Sequence, residues 1–140
     1  MITKARTIAF KAHSTQKYGN QPYSVHLESV ATLALAACTG ANCKNRVLFE
    51  PGSYSETAVT LAYLHDIVED TSVTLSDIKT EFGDFIADCV ALLTDEQGSN
   101  RKERKAKTYA KMSNIAKNSK HEIVLIIKAC DRLANLSSCQ

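Results

Sequence analysis

The chain of 140 residues is 44% hydrophobic and 23% charged, a composition that excludes disordered and fibrous classes and suits one domain with its own core. No apolar run approaches the roughly 18 residues of a membrane-spanning helix. The formal charge of +2 is unevenly placed: residues 1–94 hold seven Lys/Arg against ten Asp/Glu, and residues 95–140 hold ten against five.

Ile2, Ala5, Ile8, Ala9 and Ala12 have helical spacing. "MITKARTIAFKAHS" has no uninterrupted apolar core and no small-residue cleavage site, so it reads as a first helix and not a signal peptide. "STQKYGNQPY" interrupts it with Gly19 and Pro22 and reads as a loop. A second helix is expected from Val25 to about Cys38, with Val30, Leu33 and Ala37 on its face. "TGANCKNRVLFEPGSYS" is an irregular connection with a turn at Pro51-Gly52. A third helix is expected from Glu56 to Glu69, with Ser55 as N-cap.

Two short helices follow, the first opened by Thr74 or Ser76, with Gly83 between them. The segment from "EQGSN" to Arg104 is polar and basic, and a helix is expected from about Lys105 to Ile115. A last helix, from about Lys120 to Leu136, contains "IVLIIKAC" and reads as the central buried one. Sustained strand-type alternation, internal repeats and low-complexity tracts are absent from the sequence. The expected fold is all-α, a single compact helical domain over residues 1–140. The five cysteines are scattered without a C-x-x-C, which fits reduced thiols in a cytoplasmic protein; Cys89 and Cys130 lie in apolar runs and are expected in the core.

The chemistry concentrates in "AYLHDIVEDT". On a continuous helix His65, Asp66, Glu69 and Asp70 point in neighbouring directions. Clustered carboxylates repel one another and lose solvation, and a divalent cation compensates both. Asp131 and Asn135 in "KACDRLANL" stack on one helix face, with Ser138 a turn further on. His26 opens a helix after a tight loop. His26, His65, Asp66 and Asp131 together would make a mixed nitrogen and oxygen site for which Mn²⁺ or Fe²⁺ is the natural compromise. Plainer readings exist: His26 as a helix-cap or core histidine, Asp131 as the partner of Arg132, and His65-Asp66 as a chance adjacent pair. The acidic cluster beside a basic half suits a metal-assisted reaction on an anionic substrate, or equally a solvated helix face.

The segments "AHSTQ", "PYSVHLESVA", "AYLHDIVEDTSVT", "IKTEFGDFIADCVALLTD" and "IKACDRLANL" span nearly the whole chain. In them the sequence resembles the HD superfamily of metal-dependent phosphohydrolases, and within it the hydrolase domain of the RelA/SpoT family and its small stand-alone relatives. "HDIVEDT" with "DRLAN" is specific to that branch. The resemblance implies an HD-domain fold and hydrolysis of the 3′-pyrophosphate of the guanosine alarmones ppGpp and pppGpp, with Mn²⁺ as the usual metal. It implies His26, His65, Asp66 and Asp131 as metal ligands, Glu69 and Asp70 as the acidic pair that polarises the attacking water, and Asn135 and Ser138 as nucleotide contacts. At 140 residues, nothing remains of the chain to encode a synthetase or regulatory domain, and none is expected.

The basic run "NRKERKAK" offers Arg101, Lys102, Arg104, Lys105 and Lys107 to the substrate's phosphates. The chain departs from the family pattern at three places. "QKYGNQPY" is about one residue shorter and lacks the usual Arg-Lys pair, so that Lys17 would substitute in part and Tyr18 would stack on a base. Ala134 stands where the family has a histidine. The sequence ends at Gln140, two residues after Ser138. The alternatives are an HD phosphohydrolase acting on another nucleotide, such as a 5′-nucleotidase or NADPH phosphatase, and a non-catalytic nucleotide-binding module. Neither membrane association nor direct nucleic-acid binding is expected.

Overall fold

The computed structural model describes residues 2–39, 54–94, 99–113 and 123–138. In chain order its elements are α1 (Ile2–Ala12), a hairpin of β1 (Lys17–Tyr18) and β2 (Gln21–Pro22), α2 (Ser24–Thr39), α3 (Tyr54–Leu64), α4 (Ile67–Asp70), α5 (Leu75–Phe82), α6 (Asp84–Leu93), α7 (Arg101–Ser113) and α8 (Ile123–Ser138). The all-α expectation holds, with one addition. The loop after α1 forms an antiparallel pair, Tyr18 opposite Gln21 and Lys17 opposite Pro22. Its turn uses Gly19 at φ 62°, a conformation open to glycine without steric cost.

Every residue from Ala58 to Leu64 is buried, so α3 is apolar on all sides and runs through the interior. Its polar side-chain groups there are satisfied: Thr60 donates to Glu56 O at 2.8 Å and the Tyr63 hydroxyl donates to Glu28 Oε2 at 3.0 Å. Helices α1, α2, α6 and α8 all pack against α3. This corrects the expectation that the last helix is the central one. Helix α8 buries Ile123, Val124, Ile127, Cys130 and Ala134 but leaves Leu125, Leu133 and Leu136 exposed, so it is a two-faced outer helix. Cys89 and Cys130 are buried free thiols, as expected.

The helix expected from Glu56 to Glu69 is in fact two, and α3 already contains Ser55, where a cap had been expected. Helix α3 ends at Leu64, His65 and Asp66 form a turn, and α4 begins at Ile67. The cause is local. His65 Nδ1 donates to Ala62 O at 2.6 Å, engaging the carbonyl that the next helical bond would use. Asp66 then takes φ −108°, ψ 1°, the bridge region between helix and strand.

Thr74 caps α5 through a capping box with Asp77, and Gly83 at φ 94° separates α5 from α6, both as the sequence indicated. Helix α7 starts at Arg101, four residues before the expected Lys105, because Ser99 and Asn100 form its start. Asn100 Oδ1 accepts from Glu103 N at 2.8 Å, and the Glu103 carboxylate accepts from Ser99 N at 3.1 Å. The basic run is therefore the first turns of a helix. No helix among the described residues is long and apolar enough to cross a membrane.

Candidate metal centre and adjoining groove

Three parts of the fold meet at one point. Helix α2 contributes His26 from its first turn, the break between α3 and α4 contributes His65 and Asp66, and α8 contributes Asp131. One ligand atom from each lies within 4.8 Å of all the others. His26 Nε2 is 3.0 Å from Asp131 Oδ1, and His65 Nε2 is 2.9 Å from Asp66 Oδ2 and 3.3 Å from Asp131 Oδ1. Both imidazoles are buried, while each carboxylate is 18% exposed. The site is thus closed on the protein side and open toward the aspartates.

The donor set fits a divalent cation. Because His65 Nδ1 donates to the Ala62 carbonyl, its Nε2 carries the lone pair when the ring is neutral and faces the cluster. That Nε2 is buried without an aligned hydrogen bond, although it lies 2.9 Å from a carboxylate oxygen. Nitrogen and oxygen converge on a shared point instead of pairing in line. Bonds of about 2.0–2.2 Å from imidazole and carboxylate to one ion are consistent with donors this close together.

Electrostatics agree with the geometry. Burial of His65 works against its charged form, yet the neighbouring carboxylates of Asp66 and Asp131 outweigh it and raise its pKa to about 10. Burial alone would raise Asp66, but His65 and the Tyr23 hydroxyl hold its pKa below the usual value. Asp131 is likewise held well down, against its burial, by the adjoining imidazoles of His26 and His65. The centre therefore attracts positive charge, supplied by a proton on His65 when no cation is bound.

Tyr23 was missing from the candidate residues. Its hydroxyl donates to Asp66 Oδ2 in a very short hydrogen bond. Burial, then the carboxylate of Asp66, push the phenol far above its usual pKa, so it remains a donor. A signal existed: Tyr23 stands three residues before His26, across the start of α2.

Glu69 and Asp70 line a cavity of about 200 Å³ together with Asp66, Asp131 and Tyr23. Lys105 and Lys128 face the same cavity. A neighbouring space of about 410 Å³ shares both lysines, Asp131 and Asn135, and adds Arg101 and Arg132. The acidic centre thus opens onto a basic groove. Lys128 escaped the sequence reading although it lies one helical turn before Asp131.

The other expected contacts divide. Asn135 and Arg101 line the groove, whereas Arg104 and Lys17 line neither space. Tyr18 is present, but its ring packs on His26 at 4.6 Å and its hydroxyl donates to Asn135 Oδ1 at 2.6 Å. The Ser138 side chain lies outside the described residues. A larger cavity of about 670 Å³ lies between α1, α2 and Ala134, around the Arg6–Glu28 ion pair. It holds none of the convergent donors, so size does not mark the site here.

The chain is similar to several known proteins over most of its length. The HD domain family model matches residues 23–136. The probable guanosine-3′,5′-bis(diphosphate) 3′-pyrophosphohydrolase of Mycoplasma pneumoniae is 32% identical over 100% of this chain and 18% of its own length. The guanosine-3′,5′-bis(diphosphate) 3′-pyrophosphohydrolase MESH1 of Drosophila melanogaster is 30% identical over 94% of this chain and 65% of its own. The chain therefore spans less than two thirds of either curated relative. Among solved structures, a metazoan orthologue of SpoT that hydrolyses ppGpp superimposes with a TM-score of 0.71 at 28% identity, covering 97% of this chain and 68% of that one. With the family model matched from Tyr23 to Leu136 and a helical fold in which α2, the α3–α4 turn and α8 converge, the chain belongs to the HD-domain family.

Proposed function

We propose that residues 1–140 act as one HD-type domain that hydrolyses the 3′-pyrophosphate of guanosine alarmones, converting ppGpp or pppGpp to GDP or GTP plus pyrophosphate, with Mn²⁺ as the cation and the cytoplasm as its compartment. The observation that carries this reading is the juxtaposition of the His26–His65–Asp66–Asp131 cluster, the Glu69–Asp70 pair and the lysine-lined groove. The names of the similar proteins supply the substrate class.

In the reaction, water adds to the phosphorus attached to the 3′ oxygen, the bond from that phosphorus to O3′ breaks, and the leaving oxygen takes a proton. A divalent cation, when bound, makes the water acidic enough to attack at neutral pH and draws charge from the phosphoryl oxygens. His26, His65, Asp66 and Asp131 would hold it. Glu69 accepts the proton from the attacking water, and Asp70 orients that water in line with the leaving oxygen. Lys105, Lys128 and Arg101 counter the charge of the phosphate chain from the groove. Asn135 holds the nucleotide near Asp131.

One observation favours a second reading, an HD phosphohydrolase acting on another nucleotide. Lys17 lines neither space, and Tyr18 is engaged with His26 and Asn135. A panel of nucleotides with pyrophosphate and orthophosphate assayed separately tests the choice. Pyrophosphate from ppGpp supports the first reading; orthophosphate from other nucleotides, with ppGpp untouched, replaces it with the second.

A further inference from the structure

Gln16, ahead of the hairpin, has every polar group engaged. Its backbone N–H donates to His13 O at 2.9 Å, and its carbonyl accepts from Tyr23 N–H at 3.1 Å. Its side-chain Nε2 lies 3.2 Å from Asp70 Oδ2, and its Oε1 lies 2.6 Å from His13 Nδ1. The polarity of this chain is forced. An ionised carboxylate only accepts, so Gln16 presents its amide nitrogen to Asp70. Its amide oxygen must then accept, and the proton of the His13 bond resides on Nδ1.

His13 cannot easily turn away. It is 3% exposed, and its ring packs on Tyr23 with centroids 4.6 Å apart. Asp70, in contrast, is an exposed carboxylate at the last position of a four-residue helix. The helix end gives such a carboxylate no favourable dipole, and its side-chain rotamers are otherwise open. A neutral amide donor fixes the rotamer without neutralising the charge, which a lysine at position 16 would do.

We propose that Gln16, oriented by buried His13, is a positioning residue that engages Asp70 Oδ2 and leaves Asp70 Oδ1 for the groove. The proposal rests on the reading of Asp70 as a catalytic carboxylate given above. It also gives the "AHSTQ" segment a task at the site, although neither His13 nor Gln16 lines the groove.

Two variants separate the contacts. Gln16→Glu can still accept from His13 but cannot donate to Asp70, and Gln16→Met loses both bonds. The first readout is the position of the Asp70 carboxylate, seen in crystal structures of both variants. The Gln16 amide engages Oδ2, so without that donor the carboxylate leaves its present rotamer. Gln16→Glu also sets a second negative charge beside Asp70, so the uncharged Gln16→Met decides the contact.

The second readout is turnover of ppGpp with Mn²⁺. Both variants lose kcat by about 10- to 100-fold, as for other supporting residues behind a reacting group, with KM and Mn²⁺ affinity little changed. In an Asp70→Asn background the Gln16 substitutions cost nothing further. An unmoved Asp70 carboxylate in folded Gln16→Met protein overturns the proposal, whatever happens to activity. A displaced Asp70 carboxylate in that variant, with a wild type that leaves ppGpp intact, supports the Gln16–Asp70 link while overturning the alarmone reading.

Discussion

His26 and Asp131 come from opposite ends of the sequence, yet His26 Nε2 lies 3.0 Å from Asp131 Oδ1. Their meeting joins α2 to α8 beside the α3–α4 turn, and it defines the floor of the groove. A centre assembled across the interior couples metal binding to stability, because a cation that binds only the folded chain shifts the folding equilibrium by mass action. Chelator treatment is expected to lower Tm and Mn²⁺ to restore it, as read by differential scanning calorimetry. Asp131→Ala should abolish the Mn²⁺-dependent part of the rise.

Tyr23→Phe removes the donor to Asp66 and keeps the ring that packs against His13 and His26. Loss of a supporting hydrogen bond to a ligand typically costs about 10- to 100-fold in metal affinity or activity. Calorimetric titration with Mn²⁺ should show weaker binding in a protein that melts within a few degrees of wild type. Unchanged affinity would remove Tyr23 from the account.

The pH dependence of the metal-free protein has a definite sign. The folded pKa of His65, raised to about 10, exceeds the unfolded value of about 6.5. The stability it confers is fully present below the unfolded value and lost as pH rises through about 10. Seen from the carboxylates, which are the same interactions, stability is present above the ordinary Asp value and lost as pH falls through the depressed values of Asp66 and Asp131. In EDTA, Tm should therefore decline from neutral pH toward 10. With Mn²⁺, binding should release a proton and tighten as pH rises.

Thr74→Ala breaks the capping box that starts α5. The expected cost is about 1 kcal/mol, measured by urea denaturation, with kcat and KM unchanged because α5 contributes nothing to the groove. A loss of activity larger than the loss of stability would show that α5 communicates with the site.

Much of this was legible in the sequence, for identifiable reasons. Helix positions followed from apolar spacing and from Thr74 and Gly83, whose capping and left-handed conformations act locally. The candidate set His26, His65, Asp66 and Asp131 was legible because His65 and Asp66 stand in an otherwise apolar segment and Asp131 follows another; the fold brings their donor atoms within 4.8 Å. The break at His65 was not, since it depends on a side chain taking the Ala62 carbonyl, which periodicity does not register. Tyr23 and Gln16 were hidden for a related reason. Each meets a carboxylate remote in sequence, Asp66 and Asp70, and only the packed fold brings them together.

The most direct measurement is ppGpp turnover by the purified protein with Mn²⁺, quantifying GDP and pyrophosphate, beside Asp66→Ala and Glu69→Gln. Equimolar GDP and pyrophosphate from wild type are predicted. Asp66→Ala should lose Mn²⁺ binding and activity together, while Glu69→Gln should keep the metal and lose turnover. Wild-type protein that binds Mn²⁺ yet leaves ppGpp intact would contradict the alarmone reading, and full activity in Glu69→Gln would contradict the role given to that carboxylate.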